Sequence, residues 1–330
     1  MISLRPYNSF GVECFADRLL IINNLNDLLA IIPCPEPLLI VGEGSNILFT
    51  KNWAGLLVLN RIKGIEIVKE SDDEVWITIG AGENWHEFTQ WAVANNLGGV
   101  ENLSLIYGTV GAAPIQNIGA YGVELESVFE RLQTVILTTG ELKTYEKDAC
   151  HFGYRESIFK RELQNQHCIV SVTLKLRRNP QHFNTSYGDI GLYLQNKQLK
   201  NPTLRDISQA VIAIRTEKLP NPATIGNAGS FFKNPVLSKR QYNELLQQFP
   251  YMPSFALNDT QVKIPAAWLI QQTGWRGRRI DDAGVAETHA LILVNYGKAT
   301  GMEIKHLALD ILHSVKEKFN LMLTPEVNIL

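Results

Sequence analysis

The alternation of apolar and polar positions predicts a mixture of strands and helices. Leu38–Val41 is a short apolar run that is typical of a buried strand, and Val75–Ile79 alternates as a half-buried strand does. Trp85–Asn95 has its aromatic side chains at helical spacing, which favours a core-facing helix. The predicted strands are Leu38–Val41, Gly55–Asn60, Gly64–Lys69, Glu74–Gly80 and Ala290–Asn295, and the predicted helices are Trp85–Asn95, Lys239–Gln248, Ala266–Thr273 and Glu303–Phe319.

Composition narrows the class of protein. The chain has 330 residues, 45% of them apolar, which suggests two or three domains with sizeable cores. A formal charge of -2 gives no general attraction to nucleic acid or to anionic membranes. No stretch approaches the roughly 20 apolar residues of a membrane span, and Met1–Asp17 has no basic region followed by an apolar run. We therefore expect a cytoplasmic enzyme or binding protein.

The four cysteines are predicted to be reduced packing residues. Cys14, Cys34, Cys150 and Cys168 are widely spaced, and they form no Cys-x-x-Cys pair. No group of His and Cys residues has the short spacing of a zinc site, so no metal is expected.

A first glycine-rich stretch follows the predicted strand Leu38–Val41. Gly42, Gly44, Ser45 and Asn46 form a turn whose backbone N–H groups could bind a pyrophosphate, although a plain hairpin turn would look the same. A Rossmann site is disfavoured, because Ile47 stands where the third glycine would fall and the chain continues as a strand.

A second stretch, Tyr107–Gly122, carries four glycines and three alanines and almost no charge. Such a segment is expected to lie buried against a flat partner, because its small side chains allow the backbone to approach a planar ring system or a phosphate. A helix start packed through glycine and alanine would explain the alanines but not the pair Gln116 and Asn117.

A third stretch, Gly226–Pro235, places the hydroxyl of Ser230, the ammonium of Lys233 and the amide of Asn234 within five positions. These groups suit an anionic ligand and a proton transfer, and Phe231 and Phe232 could pack the turn so that Ser230 is held still. The alternative is an ordinary tight turn ahead of a buried strand.

Together these stretches resemble the UDP-N-acetylenolpyruvoylglucosamine reductase (MurB) family. The resemblance covers nearly the whole chain and rests on GEGSN, GTVGAAPIQNIGAYG, FGYRES, NAGSFFKNP and PEV, in that order. It implies an α+β fold, with an FAD-binding domain of the vanillyl-alcohol-oxidase type in two subdomains and a C-terminal α+β substrate-binding domain. The predicted boundaries are residues 1–178 for the FAD domain (subdomains about 1–62 and 63–178), 179–214 for a linker and lid loop, and 215–330 for the substrate domain.

The resemblance also implies a reaction and its residues. NADPH reduces a non-covalent FAD, which passes hydride to the vinyl carbon of UDP-N-acetylglucosamine enolpyruvate in peptidoglycan precursor synthesis. Arg155 matches the catalytic arginine that holds the substrate carboxylate, and Ser230 matches the proton donor. Glu326 matches the C-terminal glutamate, which steers the proton or stabilises the enol.

Binding residues follow from the same resemblance. Tyr187, in a polar segment from about residue 177 to 198 that resembles the lid of the type I subgroup, would close over the nucleotide. Lys218 and Asn234 would contact the diphosphate, and His289 would face the same pocket by analogy. The residues that match the flavin contacts are Gly42, Gly44, Ser45, Asn46, Gly108, Thr109, Gly111, Ile115, Asn117, Gly119, Ala120, Tyr121 and Arg155.

One departure concerns Tyr107, which stands where the family commonly has proline and leaves φ free at that turn. Two alternatives remain open. One is a flavin oxidase of the same superfamily, which often tethers its flavin through His or Cys, and neither glycine-rich stretch has these residues. The other is a non-catalytic UDP-sugar binder. We expect a monomer that binds a small-molecule UDP-sugar, with no nucleic acid and no membrane as partners.

Overall fold

The computed structural model describes residues 1–330. Its α-helices are α1 Leu25–Leu29, α2 Trp85–Ala94, α3 Ile190–Asn196, α4 Leu204–Lys218, α5 Lys239–Gln248, α6 Ala266–Gln272 and α7 Gly301–Phe319. The strands of the first half are β1 Ile2–Ser3, β2 Phe15–Ile22, β3 Leu38–Val41, β4 Ile47–Leu48, β5 Trp53–Asn60, β6 Ile65–Glu70, β7 Glu74–Gly80, β8 Leu97–Gly98, β9 Gly119–Ala120, β10 Val123–Glu124, β11 Phe129–Ile136, β12 Leu142–Glu146 and β13 His167–Arg178. The strands of the second half are β14 Gly226–Ser230, β15 Val236–Ser238, β16 Phe255–Ala256, β17 Gln261–Lys263, β18 Arg279–Ile280, β19 Ala283–Val285, β20 Ile292–Asn295 and β21 Asn328–Ile329.

The chain divides into two compact units. The first unit comprises residues 1–2, 16–43 and 53–216, and the second comprises residues 3–15, 44–52 and 217–330. The first glycine-rich stretch is therefore split, with Gly42 in the first unit and Gly44, Ser45 and Asn46 in the second. The boundaries at residues 178 and 214 stay a prediction about functional domains, because compactness does not assign function.

The first unit contains two sheets. Strands β2, β5 and β3 run parallel, and their neighbouring strand β1 lies at the edge. A larger antiparallel sheet has the order β12-β11-β13-β7-β6, with β8 paired to the end of β13. The predicted alternation in β7 is explained by this position, since Val75, Ile77 and Ile79 are fully buried against helix α2 and its Trp85 and Phe88.

The predicted lid segment is folded and is not a structureless loop. Strand β13 continues to Arg178, and the short helix α3 occupies Ile190–Asn196. Ile190 and Leu194 lie one helical turn apart and pack with the apolar face of α4 in a small core of their own. The expectation of a loop was therefore wrong for Ile190–Asn196. A helix with only two buried apolar residues has too short a periodic pattern to be recognised in the sequence.

The second unit is built on an antiparallel sheet with the order β14-β20-β19-β18 and a three-stranded sheet with the order β15-β17-β16. Helix α7 was predicted to begin at Glu303, and it begins at Gly301, after a capping box formed by Thr300 and Glu303. Strand β21 pairs in parallel with β4, the strand that follows the first glycine-rich turn. The predicted continuation of that turn as a strand, which disfavoured a Rossmann site, is confirmed.

The predicted helices and strands are confirmed with shifts of one to a few residues at their ends. The predicted packing role of the cysteines is confirmed, since Cys14, Cys150 and Cys168 are buried thiols and the half-buried Cys34 packs against an apolar core cluster. Burial raises the pKa of Cys14 to about 11 and the pKa values of Cys150 and Cys168 to about 12. No helix of the structure has the length and apolar character needed to cross a membrane.

Candidate functional site in two parts

In the first unit, the end of strand β3 meets the start of the second glycine-rich stretch. The Glu43 carboxylate accepts hydrogen bonds from the backbone N–H of Gly108 at 3.1 Å and from Asn84 Nδ2 at 2.7 Å. A Cβ added at Gly42 would overlap Thr109 Oγ1 and lie 3.1 Å from its Cγ2. Glycine is therefore required at position 42, and two of the predicted flavin-binding segments are brought together within one unit.

The stretch Tyr107–Gly122 is anchored by its backbone. Val110 N donates to Glu83 O and Gly111 N donates to Ala81 O, both at 2.9 Å. A Cβ at Gly111 would lie 2.5 Å from the Cβ of Ala81, so this glycine serves close packing within the protein. Residues Val110–Gln116 form a 3₁₀ helix against strands β7 and β13, which agrees with the alternative of a small-residue helix start and with the predicted burial. The Ile115 side chain is 37% exposed, so it remains available to an apolar ligand.

The end of the stretch is a hairpin of β9 and β10. Its turn has Tyr121 at φ 48° and Gly122 at φ 77°, which is the backbone shape of a tight turn with two left-handed residues. The buried Asn117 donates through Nδ2 to Glu124 Oε2 at 3.0 Å and to Gly153 O at 3.1 Å, and its Oδ1 accepts from Glu126 N. These bonds use the side chain of Asn117 to position the loop, so a cofactor contact at this residue would come from its backbone.

Arg155 lies directly beside this hairpin. Its Nη2 donates to Gly119 O at 2.6 Å, and a Cβ at Gly119 would lie 2.9 Å from Arg155 Nη1. Ser157 Oγ donates to Ile115 O at 2.7 Å, which ties the FGYRES motif to the loop a second time. The backbone of Arg155 is left-handed, with φ 56°, a conformation that costs free energy for any residue with a Cβ and is common at functional sites.

The lid segment contacts the same hairpin at two places, and in each of them a tyrosine lies close to a glycine. A Cβ at Gly122 would lie 3.1 Å from the Cβ of Tyr187, and a Cβ at Gly188 would lie 3.1 Å from Cδ1 of Tyr121. Burial raises the pKa of Tyr187, and the positive charge of Arg155 acts in the opposite direction. Tyr187 and Arg155 are thus close enough in the first unit to influence each other electrostatically.

Two asparagines secure this contact. Asn102, which is 1% exposed, donates through Nδ2 to Tyr121 O and to Asn184 O, both at 2.9 Å. Asn184 Nδ2 in turn donates to Gly122 O at 3.1 Å. The sequence analysis missed both residues, because single asparagines far apart in the chain carry no local pattern.

A partly buried arginine near the hairpin was also missed. Arg215 Nε, on helix α4, donates to Leu105 O at 3.1 Å. Burial lowers the pKa of Arg215, Arg155 acts in the same direction, and Tyr121 and Tyr107 oppose the shift. Since an arginine remains protonated in proteins, this side chain adds a positive charge to the part of the first unit that holds Arg155.

In the second unit, the turn Gly44–Asn46 is fixed against the N-terminal segment. Gly44 has φ 63°, and a Cβ there would overlap the carbonyl oxygen of Tyr7. Asn46 O accepts from Asn328 N at 3.0 Å, and Asn46 Nδ2 donates to Glu326 O at 3.3 Å. The turn that carries Gly44, Ser45 and Asn46 is therefore held directly against the backbone of Glu326.

Ser230 ends an edge strand and does not lie in a free turn, so the interpretation of this stretch as a turn was wrong. Strand β14 pairs with β20, and the register shifts between Asn227 and Ser230. Gly229 has φ 69° within this bulge, and its N–H donates to Oδ1 of the buried Asn227 at 3.0 Å. A glycine in the left-handed region is the usual means of forming such a bulge, which turns the following side chain out of the regular ladder.

Glu326 lies beside Ser230 because the two segments pair through their backbones. Glu326 N donates to Phe231 O at 2.8 Å, and Lys233 N donates to Thr324 O at 2.9 Å. Phe231 is 0% exposed and packs edge to face on Phe232, with 5.1 Å between ring centroids. The predicted role of the two aromatics in holding Ser230 is thus supported by their burial.

The predicted phosphate-binding residues also lie in the second unit. Asn234 Oδ1 accepts from Ala266 N at 2.8 Å, which leaves its NH₂ group as the donor toward a ligand. His289 Nδ1 accepts from Leu291 N at 3.3 Å, so Nε2 carries the proton of the neutral ring. Burial lowers the pKa of His289 to about 4, and the charges of Lys218 and Arg276 act in the same direction. Lys218, Arg276 and His289 therefore lie in one electrostatic environment, and Arg276 and its neighbours Arg278 and Arg279 are exposed.

Comparison with known proteins places these features in a family. A reductase from Flavobacterium johnsoniae, named UDP-N-acetylenolpyruvoylglucosamine reductase, is 46% identical over 330 residues, which cover 99% of this chain and 98% of the relative. The chain belongs to the UDP-N-acetylenolpyruvoylglucosamine reductase family. Family models agree, with an FAD binding domain matched over residues 18–145 and the C-terminal domain of this reductase over residues 221–330.

Solved structures support the fold. The MurB of Thermus caldophilus superposes with a TM-score of 0.67 at 22% identity, covering 100% of this chain and 97% of that one. A solvent-stable cholesterol oxidase gives 0.52 at 11% identity over 97% of this chain and 85% of the other. The protein is thus a flavin-dependent oxidoreductase of this reductase family. Its α+β fold has an FAD-binding domain of the vanillyl-alcohol-oxidase type and a C-terminal α+β domain.

Proposed function

We propose that this protein reduces UDP-N-acetylglucosamine enolpyruvate to UDP-N-acetylmuramate, with NADPH as the hydride donor, in the synthesis of peptidoglycan precursors. The observation that carries the proposal is the backbone pairing of residues 231–233 with 324–326, which places Ser230 and Glu326 on adjacent segments. The names of the relatives support the same substrate. A cytoplasmic location and a monomeric state stay predictions.

The residues of the first unit fit a flavin. Gly42 and Gly119 are each approached so closely by a neighbouring side chain that a Cβ would clash, and the loop between Gly108 and Tyr121 offers backbone groups and the exposed Ile115. These residues would hold FAD. Gly44, Ser45 and Asn46 match flavin contacts of the family, and their role stays a prediction. When bound, FAD would take a hydride from NADPH and supply one to the substrate.

Arg155 is proposed to bind the substrate carboxylate. Its Nη2 group donates to Gly119 O, which fixes the guanidinium beside the hairpin, and the planar fork of donors on a guanidinium matches a carboxylate. Hydride addition to the vinyl carbon pushes negative charge into this carboxylate, so the arginine stabilises the enolate as it forms. Tyr187, which lies near Arg155, would close over the nucleotide, and Lys218, Asn234 and His289 would bind the diphosphate.

Ser230 is proposed to protonate the carbon that carries the negative charge. A neutral serine is a weak acid, but the acceptor is a strongly basic carbon, so the transfer is downhill. The bulge at Gly229 and the buried Phe231 restrict the backbone on both sides of Ser230. Glu326 would steer this proton or stabilise the enol.

The proposal is tested by anaerobic visible spectra before NADPH, after NADPH and after the enolpyruvyl UDP-sugar. The flavin absorbance should bleach and then return. In Ser230→Ala, bleaching should survive while reoxidation by substrate slows by about 10²–10⁴-fold, the usual contribution of a general acid. Ser254→Ala, a serine of the same unit outside the proposed site, is the matched control.

Other outcomes would refute parts of the proposal. Normal reoxidation in Ser230→Ala would exclude the serine as the proton donor. A colourless wild-type protein would favour a UDP-sugar binder, and reduced flavin that only oxygen restores would favour an oxidase.

A further inference from the structure

Leu105 has an unusual backbone just before the stretch Tyr107–Gly122. Its φ is 57°, in the left-handed region that strains a residue with a Cβ. Its backbone is bonded on both sides by side chains, since Leu105 N donates to His86 Nδ1 at 2.9 Å and Leu105 O accepts from Arg215 Nε at 3.1 Å. Strained conformations persist only where the surroundings impose them, and these two bonds are suited to do so.

The bond from Leu105 specifies the state of His86. A ring nitrogen that accepts a hydrogen bond cannot carry a proton, so the neutral ring must be protonated at Nε2. Burial lowers the pKa of His86 from 6.5, Arg215 of helix α4 acts in the same direction, and Glu87 on its own helix opposes the shift. These are the charged groups that act on His86, and the net result favours the neutral ring.

His86 is also adjacent to the segment that anchors the loop. Trp85 N donates to Gly108 O at 2.9 Å, and Asn84 Nδ2 bonds to Glu43, which holds Gly108 N. The start of helix α2 therefore contacts the chain at Leu105 and at Gly108, on the two sides of Tyr107. A change at His86 would shift Leu105 relative to a loop that is fixed at Gly108.

We propose that His86 is a positioning residue whose unprotonated Nδ1 holds Leu105 in its left-handed conformation and, through Leu105 O, sets the position of Arg215 and the entry of the FAD-binding loop. Protonation replaces the acceptor with a donor that faces the N–H of Leu105, so this bond breaks. Because the pKa in the folded state lies below 6.5, the bond is complete above pH 6.5 and is lost as the pH falls through the folded value. FAD affinity should follow the same course.

The test measures FAD binding to the apoprotein by flavin fluorescence between about pH 5 and pH 8, a range around the ordinary pKa of histidine. His86→Asn keeps an acceptor oxygen near the place of Nδ1 but does not titrate. His86→Leu leaves the N–H of Leu105 without its acceptor. At pH 7.5, we expect FAD affinity to fall about tenfold in His86→Leu, as for an unsatisfied donor, and to stay within about twofold of wild type in His86→Asn.

The pH profile separates positioning from general stability. The weakening of FAD binding below pH 6.5 should be present in wild type and in the control His306→Asn, an exposed histidine of helix α7, and absent in His86→Asn. Urea unfolding at each pH keeps loss of folding apart from loss of affinity. An unchanged acid limb in His86→Asn, or full FAD affinity in His86→Leu, would overturn the proposal. If His86→Leu does not fold, the profile of His86→Asn alone decides.

The proposal rests on the FAD-binding domain and not on the substrate of the proposed function. No sugar nucleotide or NADPH is present in the binding assay. A wrong substrate assignment would therefore leave the FAD profiles unaffected, and a wrong role for His86 would leave the spectral test of Ser230 unaffected.

Discussion

Replacing Gly44 by alanine should disturb the turn Gly44–Asn46 far more than the same change at Gly11. The two glycines have nearly equal φ angles, 63° for Gly44 and 62° for Gly11, and both belong to the second unit. A Cβ at Gly11 would meet no atom within 4 Å, whereas a Cβ at Gly44 would overlap Tyr7 O and lie 2.9 Å from Tyr7 C and 3.0 Å from Asn8 Cα. The comparison therefore isolates a clash with backbone from the cost of the left-handed conformation.

The expected magnitudes follow from these two costs. A Cβ in the left-handed region costs about 1–2 kcal/mol, and the stiffer unfolded chain offsets about 0.4–1 kcal/mol of it. Gly11→Ala should thus lower the free energy of unfolding by about 1 kcal/mol. Gly44→Ala adds an overlap with main-chain atoms that cannot rotate away, and such overpacking costs about 1–3 kcal/mol more.

Urea unfolding of the apoprotein measures both free energies, and flavin fluorescence measures FAD affinity. Displacement of Gly44 should also move Asn46, which is bonded to Glu326 O and Asn328 N. FAD affinity and turnover should therefore decrease in Gly44→Ala and stay near wild type in Gly11→Ala. Equal losses of stability in the two variants would refute the steric argument, and normal FAD affinity in a destabilised Gly44→Ala would separate this turn from the cofactor.

Two further predictions concern the lid and the phosphate-binding residues. Asn184→Ala removes the bond to Gly122 O, so KM for the UDP-sugar should rise about 2–10-fold with little change in kcat. Ser186→Ala removes only a bond to Asn184 Oδ1 and should have a smaller effect. Equal KM values for Asn184→Ala and wild type in steady-state kinetics would contradict this prediction. The neutral ring of His289 contributes to the free energy of unfolding, and this contribution is lost as the pH falls from 6.5 toward about 4. His289→Asn lacks this titration, so between pH 7 and pH 5 its free energy of unfolding should fall less than that of wild type, by about 2 kcal/mol at most. Urea unfolding at the two pH values measures the difference.

Local patterns predicted the elements that bury one face. Helix α7, predicted as Glu303–Phe319, buries Ile304, Leu307 and Ile311 on one face, and strand β7 was recognised from its alternation. In both elements a periodic face points into a core, so the signal repeats along the segment and survives errors at the ends. The glycine-rich stretches were also recognised from a local signal, because several small residues lie close together in the sequence.

The residues that join these stretches could not be predicted. Asn102, Asn184 and Arg215 each act through one or two bonds to the backbone of a distant segment. A single side chain that bonds to a main-chain oxygen leaves no constraint on its own neighbours in the sequence. The bulge at Gly229 was missed on similar grounds, since a glycine in an irregular strand has the same local signature as a glycine in a turn.

The strained backbone positions connect the residues that local patterns predicted with the residues that were missed. Leu105, Asn117, Tyr121 and Arg155 all have positive φ, although none is glycine, and all lie on or beside the proposed FAD-binding loop. Conformations of this kind cost about 1–3 kcal/mol each. Hydrogen bonds offset this free energy: His86 bonds to Leu105, Asn102 bonds to Tyr121, and Arg155 bonds to Gly119 O. A loop held in this way is already shaped before a ligand arrives. The proposed role of Arg155 explains why the first unit has so many bonds from side chains to the backbone around this residue, because a substrate carboxylate would have to be bound in one orientation.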